Sequence, residues 1–213
     1  MEIIKKQIAY NRTNRTTPIK YIVIHDTGNK KKGADAMAHF NYFNGGDRQS
    51  SADFFVDDKR VVQVNDYTKY YTWQCGDGKG KYGITNANSI GIEICVNSDG
   101  NYNTAFINAV ELTKILMKEL NIPIDRVVRH YDASRKNCPA SMSHNDWAYW
   151  QDFKNRLSDN IQELTTPNDI VWELGHRGIV TDTKGMLDEM NANPDGRLYW
   201  LGRKALHYIR TKE

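Results

Sequence analysis

Short runs of β-branched and aromatic residues alternate with helical patterns as far as about residue 157 of this 213-residue chain. Such runs, bounded by polar or glycine-containing turns, are typical of strands. They cover residues 21–24, 54–56, 61–64 and 90–96, and the segment DDKR between the second and third indicates a hairpin. Because strands and helices are interspersed, we predict an α/β domain that ends near Leu157.

Three helical patterns accompany these strands. Apolar residues recur on one face from about residue 104 to 120, and Pro123 then ends the helix. A shorter helix is predicted in the segment GADAMAHFNYFN. The remaining helix has an apolar, partly aromatic face, formed by Trp147, Trp150 and Leu157.

The last part of the chain has a different pattern. A polar stretch ending in Thr-Pro predicts a linker at residues 158–166, after a first domain at residues 1–157. Residues 167–213 then show three short amphipathic helices and predict a small all-helical module. The last helix has one apolar face, formed by Leu198, Leu201, Ala205 and Tyr208. About fifty residues is near the lower limit for independent stability, so docking or self-association is expected.

The composition excludes several classes of protein. A net charge of +3 without a dense basic face argues against nucleic-acid binding. No apolar run approaches the roughly 18 residues needed to cross a bilayer, so membrane insertion is not expected. The first twenty residues also lack the apolar stretch of a secretory signal. Three cysteines are too few for a disulfide framework, and at least one should be a free thiol.

Two apolar runs lead into a histidine. YIVIHDTG carries His25 after a predicted strand, and VVRHYDASRKNCPAS carries His130, with Cys138 eight residues later. These three side chains could form a His₂Cys set for Zn²⁺, with a fourth position left to water as in a catalytic site. The alternative interpretation is a satisfied histidine at a strand end and a small buried cysteine before Pro139.

Amide hydrolysis at such a site also needs a carboxylate that moves protons and a cation or donor that stabilises the oxyanion. The sequence has one candidate for each role. Glu93 lies in the apolar strand SIGIEICV on the face opposite its isoleucines, and Lys136 lies two residues before Cys138. A buried, ion-paired glutamate and an ordinary surface lysine are the alternatives.

Five motifs in one order carry a family resemblance: YIVIHDTG, SSADFFVDD, WQCGDGKG, NSIGIEICVN and VVRHYDASRKNCPAS. Together they resemble the zinc-dependent N-acetylmuramoyl-L-alanine amidases of the type 2 amidase and peptidoglycan-recognition-protein superfamily, above all the amidase domains of phage and prophage endolysins. The resemblance covers about residues 18–157. It implies a mixed central sheet flanked by helices, zinc in an open cleft, and cleavage between N-acetylmuramic acid and the L-alanine of the stem peptide.

The resemblance also implies a role for each matching residue. His25, His130 and Cys138 match the zinc ligands of the family. Glu93 matches the catalytic glutamate of the endolysin branch. Lys136 matches the lysine that assists at the oxyanion.

Two positions depart from the family pattern. This chain has Ala52-Asp53 where relatives often have Tyr or Trp and then His, and Trp73-Gln74 where many have Trp-His. Some branches use that tyrosine in catalysis, so its absence shifts proton transfer further onto Glu93. Trp73, Gln74 and Asp53 are the predicted substrate-binding residues.

The roles of several other polar residues stay open at this point. Asp132 and Ser134 either orient His130 or only form a turn. His39 and His144 match no motif and are interpreted as ordinary core or surface histidines.

The sequence therefore predicts an enzyme that acts on bacterial peptidoglycan. One alternative is a non-catalytic recognition module that binds muropeptide in the same cleft, and another is a cysteine hydrolase using Cys138 with His130. The helical module is expected to bind cell wall or to form a homodimer through its apolar faces. Without a signal peptide, the enzyme is expected to be made in the host cytoplasm and to reach the wall through a holin-type lesion.

Overall fold

The computed structural model describes residues 2–158, 171, 174–175 and 180–192. The chain divides into two units, residues 1–160 and 161–213. The predicted linker, apart from Ser158, and the predicted apolar face of the last helix lie outside the described residues.

Eight strands are described. They are β1 (Glu2–Lys5), β2 (Arg12–Asn14), β3 (Tyr21–Asp26), β4 (Phe54–Val56), β5 (Arg60–Gln63), β6 (Tyr70–Thr72), β7 (Ser89–Ile94) and β8 (Val127–Arg129). Six of them form one sheet in the order β1–β5–β4–β7–β3–β8, while β2 and β6 form an antiparallel pair. In the larger sheet β4, β7, β3 and β8 run parallel, and β5 returns antiparallel to β4. The predicted hairpin and the predicted mixed sheet are confirmed.

Five helices are described. They are α1 (Ala36–Asn44), α2 (Tyr102–Leu120), α3 (His130–Ser134), α4 (His144–Leu157) and α5 (Thr183–Ala192). The side chain of Asp35 caps α1 by accepting from the Ala38 N–H, and that of Asn101 caps α2 by accepting from the Thr104 N–H. In α4 the residues from Asn145 to Trp147 have left-handed dihedral angles, so the regular helix starts after Trp147.

Helices cover both faces of the sheet. On one face, Phe40 and Phe43 of α1 pack against a buried cluster that includes Phe55 and Cys95. On the other face, α2 packs against β4 and β7, and Phe106 of α2 meets Phe153 of α4 edge to face with ring centroids 5.4 Å apart. Strand alternation explains this arrangement, because Phe55 and Glu93 share one face while the isoleucines of β7 point to the other.

The strands that were not predicted from the sequence are short and pair with strands that are distant in the sequence. β1 pairs with β5, nearly sixty residues later in the chain, and β2 pairs with β6. Each has only three or four residues, which is too few for a periodic pattern. His130 does not end a strand but is the first residue of α3, directly after β8.

The second unit contributes α5 and a small apolar cluster. Val171, Leu174 and Met190 are buried there, with Val180 and Met186 packed against them. This helix lies within the segment predicted to be helical. Within the described part of the chain, we find no helix that is both long and apolar enough to span a bilayer.

Candidate active site

Three parallel strands deliver the central residues of the site to one edge of the sheet. His25 lies near the end of β3 and is paired in register with Glu93 on β7. On the other side of β3, strand β8 leads directly into His130. Because the carboxyl ends of parallel strands meet at one edge, residues far apart in the sequence come together there.

His25, His130 and Cys138 form a buried cluster. One donor atom from each lies within 4.8 Å of the others, and Nδ1 of His25 is 3.8 Å from Sγ of Cys138. Nδ1 of His130 is buried and has no hydrogen-bond partner among the described residues. An unpartnered imidazole nitrogen beside a thiol is the donor set that zinc prefers, so the cluster fits a metal ion.

A chain of hydrogen bonds fixes the ring of His25. Its Nε2–H donates to Oε1 of Gln74 over 2.6 Å, while Nε2 of Gln74 donates to Oγ of Ser89 over 2.7 Å. The Ser89 hydroxyl in turn donates to the Thr85 carbonyl, which sets the orientation of the Gln74 amide. This arrangement leaves Nδ1 of His25 with a free lone pair toward Cys138. Both ends of the Gln74 amide are used within the fold, while contact of this half-buried side chain with substrate stays a prediction.

Gly91 makes room for Gln74. It lies in the buried middle of β7, and a Cβ atom at this position would come within 2.8 Å of Cδ and Oε1 of Gln74. A Cβ atom essentially never comes that close to another carbon or oxygen atom, so any other residue would displace the amide. The glycine is therefore part of the support of His25.

Asp77 holds the second histidine. Its Oδ1 lies 2.8 Å from Nε2 of His130 and accepts the N–H, which leaves Nδ1 as the free nitrogen. Burial raises the pKa of Asp77, but hydrogen bonds from His130 and Ser134 outweigh it and keep the pKa below its usual value. A Cβ at Gly78 would overlap the Ala133 carbonyl, so this loop packs directly on α3.

Burial favours the neutral form of both imidazoles. Burial, followed by the neighbouring charge of His130, lowers the pKa of His25 to about 3. Burial also lowers the pKa of His130 despite the opposing effect of Asp77. Metal ligation requires neutral imidazole, which is the form that burial favours for both histidines.

Glu93 lies beside this cluster with one oxygen unused. Its Oε1 is 3.9 Å from Nδ1 of His25, and its Oε2 is buried with no partner among the described residues. Burial and the Asp26 carboxylate raise the pKa of Glu93 to about 8, while Lys136 opposes them. A carboxyl group with a pKa near neutrality can both accept and donate a proton.

Lys136 is near enough to the cluster for its charge to act on it. Its side chain is exposed, and its charge acts on Glu93, His25, His130 and Cys138. Burial and the charge of Glu93 raise the pKa of the Cys138 thiol, whereas Lys136 lowers it. The lysine therefore supplies a positive charge close to the cluster.

Asp53 lies inside the fold. Its side chain is completely buried, and its oxygens accept hydrogen bonds from Asn65, Thr72 and the Gly91 N–H, all between 2.7 and 2.8 Å. The prediction that Asp53 binds substrate is therefore wrong. Trp73 is half-buried and donates its indole N–H to the Thr13 hydroxyl, so its contact with substrate stays a prediction.

The structure shows the contacts of two aspartates near the site, Asp26 and Asp132, to which the sequence assigned no definite role. Asp26 accepts hydrogen bonds from the N–H and hydroxyl of Ser141, and its own N–H bonds to the Cys138 sulfur. Asp132 pairs with the Arg129 guanidinium and so caps a turn rather than orienting His130.

Gln74 and Asp77 orient the two histidines, and the sequence did not predict this role for either residue. Both lie in the motif WQCGDGKG. A signal was available, because a histidine that binds a metal through one ring nitrogen usually donates the N–H of the other nitrogen to an acceptor. The polar residues of this motif were candidates for those acceptors.

Comparison with known proteins identifies relatives of the first unit. A family model described as N-acetylmuramoyl-L-alanine amidase matches residues 15–141. The N-acetylmuramoyl-L-alanine amidase CwlH of Bacillus subtilis is 39% identical over 160 residues, which cover 74% of this chain and 61% of that protein. XlyA, an amidase of the same organism, is also 39% identical, over 72% of this chain and 50% of its own length. The chain thus spans about half to three fifths of these two curated relatives.

Solved structures agree in fold. The catalytic domain of XlyA superposes with a TM-score of 0.63 at 38% identity, covering 74% of this chain and 99% of that domain. A mutant endolysin from Bacillus subtilis gives 0.66 at 41% identity, with the same coverage of both chains. The shared part is the mixed sheet and its helices.

We predict that the Asp53 network stabilises the fold. Asp53→Asn replaces a buried acceptor by a group that cannot accept from all three donors, so the free energy of unfolding should fall by about 2–3 kcal/mol. Urea unfolding measures the loss. The exposed Asp47→Asn serves as control and should change stability by less than about 0.5 kcal/mol. Equal stability of Asp53→Asn and the unaltered protein would contradict this role.

Proposed function

The chain belongs to the N-acetylmuramoyl-L-alanine amidase family, and from this premise we propose that it hydrolyses the amide between N-acetylmuramic acid and L-alanine in bacterial peptidoglycan. One observation carries the proposal. Two imidazole nitrogens and a thiol converge beside an unpartnered oxygen of Glu93, which is the set of groups that metal-assisted amide hydrolysis requires.

Zn²⁺ is the proposed cofactor, held by Nδ1 of His25, Nδ1 of His130 and Sγ of Cys138. The two histidines and the cysteine fit zinc because Gln74 and Asp77 hold each imidazole with its Nδ1 free. When bound, zinc acidifies a coordinated water to a pKa of about 7 and polarises the substrate carbonyl.

Glu93 is the proposed general base and acid. Its free Oε2 accepts a proton from the attacking water, and the protonated carboxyl then donates to the amide nitrogen as the C–N bond breaks. Its raised pKa suits both steps, because a group near neutrality gains and loses a proton readily. Lys136 is proposed to stabilise the negative charge that develops on the carbonyl oxygen.

Two other functions use the same residues. A peptidoglycan recognition module would bind the substrate without cleaving it, and it would have no use for a free carboxylate beside a ligand cluster. A cysteine hydrolase needs a thiolate stabilised by an imidazolium or a helix N-terminus. Cys138 is instead 5% exposed and lies near the carboxylate of Glu93, which disfavours the thiolate.

The second unit is proposed to bind cell wall, with dimerisation as the competing role. Its apolar cluster holds part of it together. Release through a holin-type lesion stays a prediction.

We predict that the protein releases new amino termini of alanine from purified cell wall without creating new reducing sugars. A chelator should abolish the release, and added Zn²⁺ should restore it, because the nucleophile depends on the metal. The assay counts both kinds of new end. Wall binding without release would favour the recognition module, and activity that survives chelation but not thiol alkylation would favour the cysteine hydrolase.

We predict that Glu93→Gln keeps zinc but loses turnover. The amide has nearly the same shape as the carboxyl group but cannot move the proton, so kcat should fall at least about 100-fold. Metal analysis of the purified variant provides the control. A variant that binds no zinc would show that Glu93 supports the metal site rather than proton transfer.

We also predict that Gln74→Leu weakens zinc binding by about 10- to 100-fold, because it leaves the buried Nε2–H of His25 without an acceptor. Competition with a chromophoric chelator measures the affinity without reference to turnover. Gln151→Leu, at an exposed position of α4, is the matched control and should bind zinc as the unaltered protein does. Unchanged affinity in both variants would rule out this role for Gln74.

A further inference from the structure

One short loop carries the acceptors of both ligand histidines. Gln74, which accepts from His25, and Asp77, which accepts from His130, are three residues apart. The loop contains four glycines between residues 76 and 83, and glycine loses more conformational entropy on ordering than any other residue. The two acceptors can hold their histidines in place only if a contact from outside the loop fixes its backbone.

The side chain of Asn86 makes that contact. Its Oδ1 accepts from the backbone N–H of Gln74 over 3.0 Å and from that of Cys75 over 2.8 Å. A carbonyl oxygen has two lone pairs, so both are used on the loop. These two residues come directly before the short 3-10 helix Gly76–Gly78, which includes Asp77. One side chain therefore fixes the backbone from which both acceptors extend.

Gly76 lets the Asn86 amide come close to the loop. A Cβ atom at Gly76 would lie 2.9 Å from Nδ2 of Asn86, a distance that Cβ atoms essentially never show. The amide cannot simply move aside, because two N–H groups hold its oxygen. A side chain at residue 76 would therefore disturb the contact between Asn86 and the loop.

The backbone around Asn86 is held from another direction. The Arg15 guanidinium donates to the carbonyls of Ala87 and Ser89. Ser89 is the first residue of β7, so this segment leads directly into the central sheet. Asn86 thus connects the loop with both acceptors to the strand that carries Glu93.

We propose that Asn86 is a positioning residue for both ligand histidines, because by fixing the loop it holds Gln74 against His25 and Asp77 against His130. It acts through these two acceptors and not on the imidazoles or the substrate directly. The inference deepens the proposed function and rests on it for the identity of the metal. A single substitution at residue 86 should then loosen both rings, although the histidines lie on different elements of the fold.

The imidazole N–H resonances of the metal-free full-length protein test this role without zinc or turnover. In Asn86→Ala the Nε2–H signals of His25 and His130 should both shift and exchange faster with water, because both acceptors move. Asn86→Asp keeps an oxygen that accepts from both backbone N–H groups and should preserve the two signals. Zinc affinity, measured by competition with a chelator, should fall about tenfold in the alanine variant and less than about threefold in the aspartate variant.

Gly76→Ala is an independent variant. Its Cβ would push the Asn86 amide off the loop without removing it, so both ring signals should change in the same direction as in Asn86→Ala. It carries the test if the alanine variant at residue 86 does not fold.

Asn108→Ala is the matched control. Nδ2 of Asn108 donates to the Asp57 carbonyl over 2.9 Å, so this variant also loses a side-chain hydrogen bond to the backbone at a half-buried asparagine. Thermal unfolding measures the stability lost in each alanine variant, but only Asn86→Ala should disturb the two ring signals. Where Gln74→Leu and Asp77→Ala are already present, Asn86→Ala should weaken zinc binding further by less than about twofold, because its effect passes through those two residues.

The proposal is overturned if Asn86→Ala leaves both ring signals unchanged, or if it disturbs one histidine only. It is also overturned if the substitution weakens zinc binding equally with and without the two acceptors, since that result means a general structural role. Failure of the proposed function is a separate result. It appears as zinc-loaded protein that releases no alanine amino termini, whereas the ring signals can be measured in either case.

Discussion

Parallel pairing of β3 with β7, in the register that sets His25 opposite Glu93, is the interaction on which the site depends. Side chains alternate along a strand, so a slip of one residue would turn Glu93 toward the isoleucine face and away from His25. The apolar residues of both strands prevent that slip because each face is buried under helices. The hydrophobic pattern of the core thus determines the distance between the proposed base and the ligand cluster.

Around this pair the fold supplies neutral, oriented imidazoles. Each histidine uses one nitrogen on a protein acceptor, Gln74 or Asp77, and keeps the other free. The two acceptors differ in charge, so the two rings are not equivalent. A carboxylate makes the ring it holds a stronger electron donor than an amide does, and His130 is therefore the more basic of the two ligands.

The sequence was a good guide where chemistry is local and a poor one where it depends on distant contacts. His25, His130 and Cys138 were identified from short motifs, and the structure places them together. The orienting contact of Gln74 was missed because it joins residues 49 positions apart, and no local pattern reports such a pair. Asp53 was misjudged for the same reason, since its partners lie 12 to 38 positions away and only the folded sheet shows that they satisfy it.

Gly91 ties two distant positions of the chain together. Its missing Cβ leaves the space that the Gln74 amide occupies, so residue 91 can gain a side chain only if residue 74 changes as well. Transferring the three ligands and the glutamate to another sheet would therefore not be enough to reproduce the site. A designer would also have to leave a gap in the middle of the neighbouring strand, where strand propensity alone favours a β-branched side chain.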